Sequence, residues 1–317
     1  MNRCIRCAKI EYYSRRFASA MKTRQTWAAI REIGLCNTHR NTSCEMDPND
    51  LNKSFVNTPT VRADPNFYGF NRDHTNSDIG CNIYLPEHDM FRFECVTQYD
   101  VMSAVFMVKS NSIGSDNMHP KFIRIILPLI LPFITHLFNT IIMSGMYPIK
   151  WKHAKIVPVR KSNGDYRPIA ILCFLSKVLE KILYIQIMKY IDLNNLLSRM
   201  QSGFRSGHSC ITALVDVSEF IRQALENGDV NFLVLLDHSK AFDTVDHNML
   251  IRKLKFFFGF SNTSAKLIHS YLSQRAQSVF LRDKWSDSLP LDKGVPQGSI
   301  LGPLFSPCMS MIYLDIS

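Results

Sequence analysis

The run "NFLVLL", residues 231 to 236, ends abruptly on Asp237 and constrains the fold more than any other stretch of this chain. It is short, apolar and preceded by Asn227-Gly228, a turn signal. That combination predicts a strand buried on both faces, and so a sheet covered on each side. Beyond it, "LLDHSKAFDTVDH" adds Phe242, Asp243, Asp246 and His247 within ten residues of Asp237. A carboxylate that ends a core strand is held rigidly and still faces a cleft, which suits a metal ligand. The plainer alternative is a strand leaving its sheet into an Asp-rich turn. Asp243, Asp246 and His247 read as helix capping and local hydrogen bonding.

Helical and extended patterns alternate on either side. Thr97 and Asp100 form a capping box ahead of an apolar helical run. "AKIVPV" (154 to 159) is a strand, followed by a turn at Ser162-Asn163-Gly164 and the opposite arm of a possible hairpin. Helices are expected over about 176 to 192, 209 to 226, 247 to 257 and 263 to 272. A strand is expected over 276 to 282, and a strand or turn near 289 to 295. From Gly298 the chain is apolar and helical in part. Residues 11 to 33 read as one or two basic amphipathic helices, and 37 to 80 as an irregular linker. The fold class is α+β, and the expected divisions are 1–95, 96–230 and 231–317.

Two features invite other readings. "FIRIILPLILPFITHLFNTIIM" (122 to 143) has the length of a membrane span, but Arg124, His136, Asn139, Pro128 and Pro132 interrupt it. A short buried helix, a Pro bend and a second helix is the better expectation, with no membrane partner. Cys4, Cys7, Cys36, His39 and Cys44 could be a zinc site, yet their spacing matches no known zinc framework. The nine cysteines read as scattered thiols.

The charge excludes less than it favours. With 37 Lys+Arg against 27 Asp+Glu the chain carries +10, which points to a polyanionic partner, nucleic acid before membrane surface. Lys253 and Lys255 are read as a solvated helix face. "VPVRKSNGDYRPI" puts Arg160 and Lys161 on one arm of the hairpin and Arg167 on the other; cations there could oppose phosphate charge or simply be solvated. "GVPQGS" is a Gly-bounded turn carrying Gln297, where Gly298 would allow close backbone approach to a nucleotide.

"DYRPIAIL", "QSGFRSGHSCITAL", "LLDHSKAFDTVDH" and "KGVPQGSILGPLF" occur in that order. Together they resemble the reverse transcriptases of non-LTR retrotransposons, in particular the jockey-like branch of LINE elements, from about Ser115 to Phe305. The resemblance implies a right-hand fold with fingers and an incomplete palm, the domain covering about 140–317. It implies RNA-directed DNA synthesis on an RNA template and DNA primer with deoxynucleoside triphosphates. It also implies two Mg²⁺ ions, held by Asp237 and the carbonyl of His238. Phe242 would pack under the sugar, Gln297 and Gly298 would contact the nucleotide, and Arg160, Lys161 and Arg167 would face the triphosphate. Arg205 would touch the template backbone. His238 departs from the apolar residue usual at its position.

The family's second acidic motif, two adjacent Asp on a hairpin, does not occur among the 317 residues. "IYLDIS" resembles the stretch before that hairpin, so Asp315 is not read as the missing ligand, and Pro307 is a further departure. The expectation is a truncated copy without a thumb, inactive by itself or a binding remnant for RNA or primer–template. A cytoplasmic or nuclear ribonucleoprotein follows from the resemblance alone.

Overall fold

The computed structural model describes residues 46–57, 90–162, 164–198, 201–235, 237 and 240–305. The amphipathic helices expected over 11 to 33, the cysteine cluster at 4 to 44, His238 and Asp315 lie outside them. From Asp47 onward the chain forms one compact unit, a mixed α+β structure with both parallel and antiparallel pairing in its sheet.

In chain order the helices are α1 (Pro48–Val56), α2 (Gln98–Met107), α3 (Pro120–Ser144), α4 (Phe174–Leu193), α5 (Cys210–Glu226), α6 (His247–Phe256) and α7 (Asn262–Leu272). The strands are β1 (His153–Arg160), β2 (Tyr166–Ile171), β3 (Arg275–Leu281), β4 (Lys284–Trp285) and β5 (Leu289–Leu291). β1 pairs antiparallel with β2 through the predicted hairpin, Arg160 opposite Tyr166, and parallel with β3, His153 opposite Ala276. β4 and β5 are both antiparallel to β3.

The Thr97–Asp100 capping box forms as read. The helices after it pack α2, α3 and α4 together with α6, α7 and the segment 295–305 around one apolar core, in which Val101, Phe138, Leu179, Leu183, Leu250 and Phe305 are fully or almost fully buried.

Four expectations are corrected. Residues 122 to 143 are not two helices: α3 runs unbroken for 25 residues with Pro128 and Pro132 inside it. Both prolines are exposed, so the carbonyls their missing N–H groups leave free can turn to water. The opposite face, with Ile123, Leu127, Ile134 and Phe138, sits in the core. α3 is the one helix among the described residues long and apolar enough to cross a membrane. A third of its most apolar window is buried, and Ile125, Leu129 and Phe133 on the other side are exposed.

The expected linker contains α1, started by Asp47, whose carboxylate accepts the Asn49 N–H, with Pro48 at the first helical position. Asp-Pro ahead of "NDL" is a helix-start signal that the polar composition hid. Lys253 is buried at 7% rather than solvated, because helical spacing places it with Leu250 and Leu254, which turn inward.

The fourth correction is the strand at 231–236. Described residues 231–235 are not in a strand, and Phe232 and Leu235 are 89% and 85% exposed. A strand buried on both faces exists only when neighbours supply ladder bonds and cover. Among the described residues none pairs with this run. α5 just before it likewise buries no residue, leaving Ile211, Leu214, Val215 and Phe220 exposed.

α1 is pinned by an amide. Asn52 is fully buried, donates to the Asp287 carbonyl at 2.8 Å and to Ser286 Oγ at 3.0 Å, and accepts from Gln277 Nε2 at 3.0 Å. Removing it strands buried partners on β3 and its hairpin, which costs about 1–3 kcal/mol. Asn52→Ala is therefore expected to lower the thermal midpoint of the chain by several degrees in a calorimetric melt; an unchanged midpoint would show that α1 is not docked on the sheet.

Candidate nucleotide and primer–template site

Sequence-distant stretches meet around the turn 293–301. Its first half is bonded to the segment that follows Phe242. The Gly294 N–H donates to the Val245 carbonyl and the Val295 N–H to the Phe242 carbonyl, both at 2.8 Å. His247 Nε2 donates to the Gly294 carbonyl at 2.7 Å, which fixes the proton on that nitrogen, and burial lowers the imidazole's pKa. The turn then crosses the open edge of β2, where the Ala170 N–H donates to the Gln297 carbonyl at 2.7 Å.

Two glycines make these approaches possible. A Cβ on Gly298, at φ +130°, would lie 2.4 Å from the Ala170 carbonyl oxygen, and one on Gly294, at φ +83°, 2.9 Å from that of Asp243. So glycine at 298 is required by the approach to β2.

The far half of the turn is held by a carboxylate that sequence reasoning did not single out. Glu180 on α4 is fully buried and accepts the Ile300 N–H at 2.7 Å and the Leu301 N–H at 3.4 Å through Oε2. Ser176 donates to its other oxygen at 3.3 Å and shares a 2.9 Å hydrogen bond with the Tyr147 hydroxyl. Burial raises the Glu180 pKa. The two backbone N–H groups and the charges of Arg275 and Lys177 oppose that rise. Nothing in "SKVLEKIL" distinguishes this acid from a surface glutamate except its place in a buried stripe.

Gln297 is tied through its side chain as well. Its Nε2 donates to both carboxylate oxygens of Asp243, at 2.8 and 3.0 Å. Burial raises the Asp243 pKa, while Gln297, Lys240 and Lys161 lower it. The expected capping role belongs to Asp246, which accepts the Met249 N–H at 2.7 Å. Asp243 and His247 instead make long-range contacts, which spacing along a helix cannot reveal. Asp243 and Gln297 border a cleft of about 380 Å³ whose apolar wall includes Ala154, Ile156, Pro168 and Ala170.

Phe242 packs on the main core and meets the exposed ring of Phe204 edge-on, with 6.1 Å between centroids. Phe204 takes a positive φ of 57° in the "GFRSG" loop, and neighbouring Arg205 donates to the Ser198 carbonyl at 3.3 Å. From the β1–β2 hairpin the charge of Lys161 helps to lower the Asp243 pKa. Arg160 and Arg167 are exposed, and neither lines the cleft. Asp237 is exposed at the end of the uncovered run.

Among the described residues no three His, Cys, Asp or Glu side chains come together to hold an ion, and Asp243 is engaged with Gln297. One exposed carboxylate cannot supply the fixed oxygen set a Mg²⁺ pair requires.

Residues 159–316 match the family described as reverse transcriptase (RNA-dependent DNA polymerase). Over 196 residues the chain is 31% identical to the RNA-directed DNA polymerase from mobile element jockey of Drosophila melanogaster, covering 60% of this chain and 21% of that protein. It is 31% identical over 197 residues to the probable RNA-directed DNA polymerase from transposon BS of the same species, covering 60% and 22%. It is 33% identical over 183 residues to that from transposon X-element, covering 54% and 19%. The matches thus span about a fifth of the length of these relatives.

Two substitutions probe the turn. Gly298→Ala is expected to destabilise the chain by about 2 kcal/mol or more, since the new Cβ meets backbone at a positive φ; an unchanged denaturant midpoint would mean that the turn does not sit against β2. For Glu180 the sign follows from its raised pKa. The folded form holds its proton to higher pH than the unfolded chain does. Its share of stability is therefore full below the ordinary Glu pKa and is lost as pH rises through the folded value. Glu180→Gln keeps an acceptor for Ile300, so the gap in melting temperature between variant and wild type should shift in favour of the variant as pH rises from about 4 toward neutral. A gap that does not change with pH would count against a raised Glu180 pKa.

Proposed function

We propose that this chain, whose residues 159–316 form a reverse transcriptase domain homologous to the RNA-directed DNA polymerases of jockey-like, non-LTR retrotransposons, serves RNA-directed DNA synthesis as the part that holds primer–template and incoming deoxynucleotide. In this reading the β1–β2 hairpin and the helices before it are the fingers, and the region from 231 onward is part of the palm. The observation that carries it is the meeting of the turn bearing Gln297 with Phe242, Asp243 and the Ala170 edge of hairpin strand β2, which come from separate stretches of sequence.

Each residue has a task within that reading. Phe242 lies against the sugar, and Gln297 bonds it. Lys161, with Arg160 and Arg167 on the exposed hairpin, counters triphosphate charge, which grows during phosphoryl transfer. Arg205 follows the template backbone without reading sequence, as does the chain's excess of 37 basic over 27 acidic residues. RNA template, DNA primer and deoxynucleoside triphosphates are the proposed partners.

Reverse transcriptases use divalent metal ions, and Asp237 is the residue proposed to bind one. Since no three potential ligands come together among the described residues, and no two adjacent Asp occur in the 317 residues, we propose that these residues alone bind without joining nucleotides. Primer extension on an RNA template with Mg²⁺ or Mn²⁺, beside Asp237→Ala, decides this. The expected result is no incorporation by either protein, with RNA affinity that falls steeply as salt rises. Incorporation by the wild type, lost in Asp237→Ala, would show a working active site; salt-insensitive or absent RNA binding would remove the holding role as well.

A further inference from the structure

The Asp243–Gln297 pair fixes something that neither residue fixes alone. A glutamine amide presents a donor at one end and an acceptor at the other, and nothing in its shape decides which end faces outward. Here the decision is made by the neighbour. Gln297 turns its Nε2 toward Asp243, which accepts on both carboxylate oxygens at 2.8 and 3.0 Å. Oε1 takes no hydrogen bond from any other described residue. The backbone of Gln297 cannot swivel to reverse this. It is bonded to Ala170, flanked by the tight approach of Gly298 to β2, and anchored three residues on by Glu180.

We infer that Asp243 is a positioning residue, which sets Gln297 so that it offers the incoming nucleotide a carbonyl oxygen and not an amino group. The inference rests on the proposed contact between Gln297 and the nucleotide sugar. Its consequence is chemical selection. A free acceptor needs a donor from the ligand. The phosphate oxygens of a nucleoside triphosphate are acceptors and are turned away, whereas the 3′-hydroxyl of deoxyribose can donate. Phe242, one residue before Asp243, is tied to the Gln297 turn through its carbonyl, which accepts the Val295 N–H. Asp243 would thus make the site sense the 3′-hydroxyl, the group on which the next addition depends, without touching the nucleotide.

The test is equilibrium binding to the full chain bound to an RNA template and a primer ended by a dideoxynucleotide. The two ligands are the complementary deoxynucleoside triphosphate and its 2′,3′-dideoxy counterpart. Wild type should prefer the deoxynucleotide by about tenfold, the size of one well-made hydrogen bond. Asp243→Ala frees the amide to turn either end outward, so it should lower deoxynucleotide affinity toward the dideoxy level and leave dideoxy affinity unchanged. Gln297→Ala should do the same, and adding Asp243→Ala to it should change nothing further. Asp243→Asn keeps an acceptor oxygen but adds a competing donor, so it should lose the preference in part; it also serves if the alanine variant does not fold.

A merely structural Asp243 would weaken both ligands together with the preference intact, and that result overturns the inference. So does a preference abolished by Gln297→Ala but kept in both Asp243 variants, which leaves the nucleotide contact of Gln297 standing. A wild type without preference, or one that Gln297→Ala does not alter, overturns the contact and the inference together.

Discussion

The turn from Lys293 to Leu301 is the constraint on which the rest of the site depends. It is bonded at one end to the segment after Phe242, in the middle to the edge of β2, and at the far end to a carboxylate buried under α4. Each bond is ordinary. Together they bring a strand edge, a helix and a loop from three parts of the chain to one place, and every candidate residue with a defined setting is positioned relative to it. Glycine at 294 and 298 is what lets backbone meet backbone at distances a Cβ would forbid.

Two acids carry this architecture, and both bear a desolvation cost. Glu180 and Asp243 are pushed toward the protonated form by burial and drawn back by donors: two backbone N–H groups in one case, a glutamine amide in the other. Removing the partner of a buried carboxylate costs more than the bond itself contributes, because the charge is left unsolvated. The turn is therefore held by several such interactions at once, which makes it a rigid support for the Gln297 side chain.

The run before Asp237 is built on the opposite balance. Its apolar residues and those of α5 lie uncovered among the described residues, and Asp237 at its end has none of the support that Asp243 has. Burial of apolar side chains is worth about 1.5–3 kcal/mol each, so a covering surface would stabilise this part strongly and would fix its carboxylate as the turn fixes Gln297. Positional order and apolar cover are here one requirement.

Much of this was legible in the chain itself. Periodicity and capping residues located α2, α4, α5, α6 and α7, the hairpin β1–β2 and the strand β3, because those signals are local. Four short motifs in one order resemble those of reverse transcriptases, and it was that resemblance, not periodicity or spacing, that pointed to the family. Composition hid α1 behind its polar neighbours, and Pro128 and Pro132 suggested a break that exposure to solvent made unnecessary. The strand reading of 231–236 failed for the same underlying reason: hydrophobicity states that a segment wants cover, and only tertiary structure supplies it. The partners of Glu180, Asp243 and His247 lie 120, 54 and 47 residues away, beyond any local pattern. Sequence determined which groups the site contains; the packing of α4 and β2 against one glycine-bounded turn decided what each of them faces.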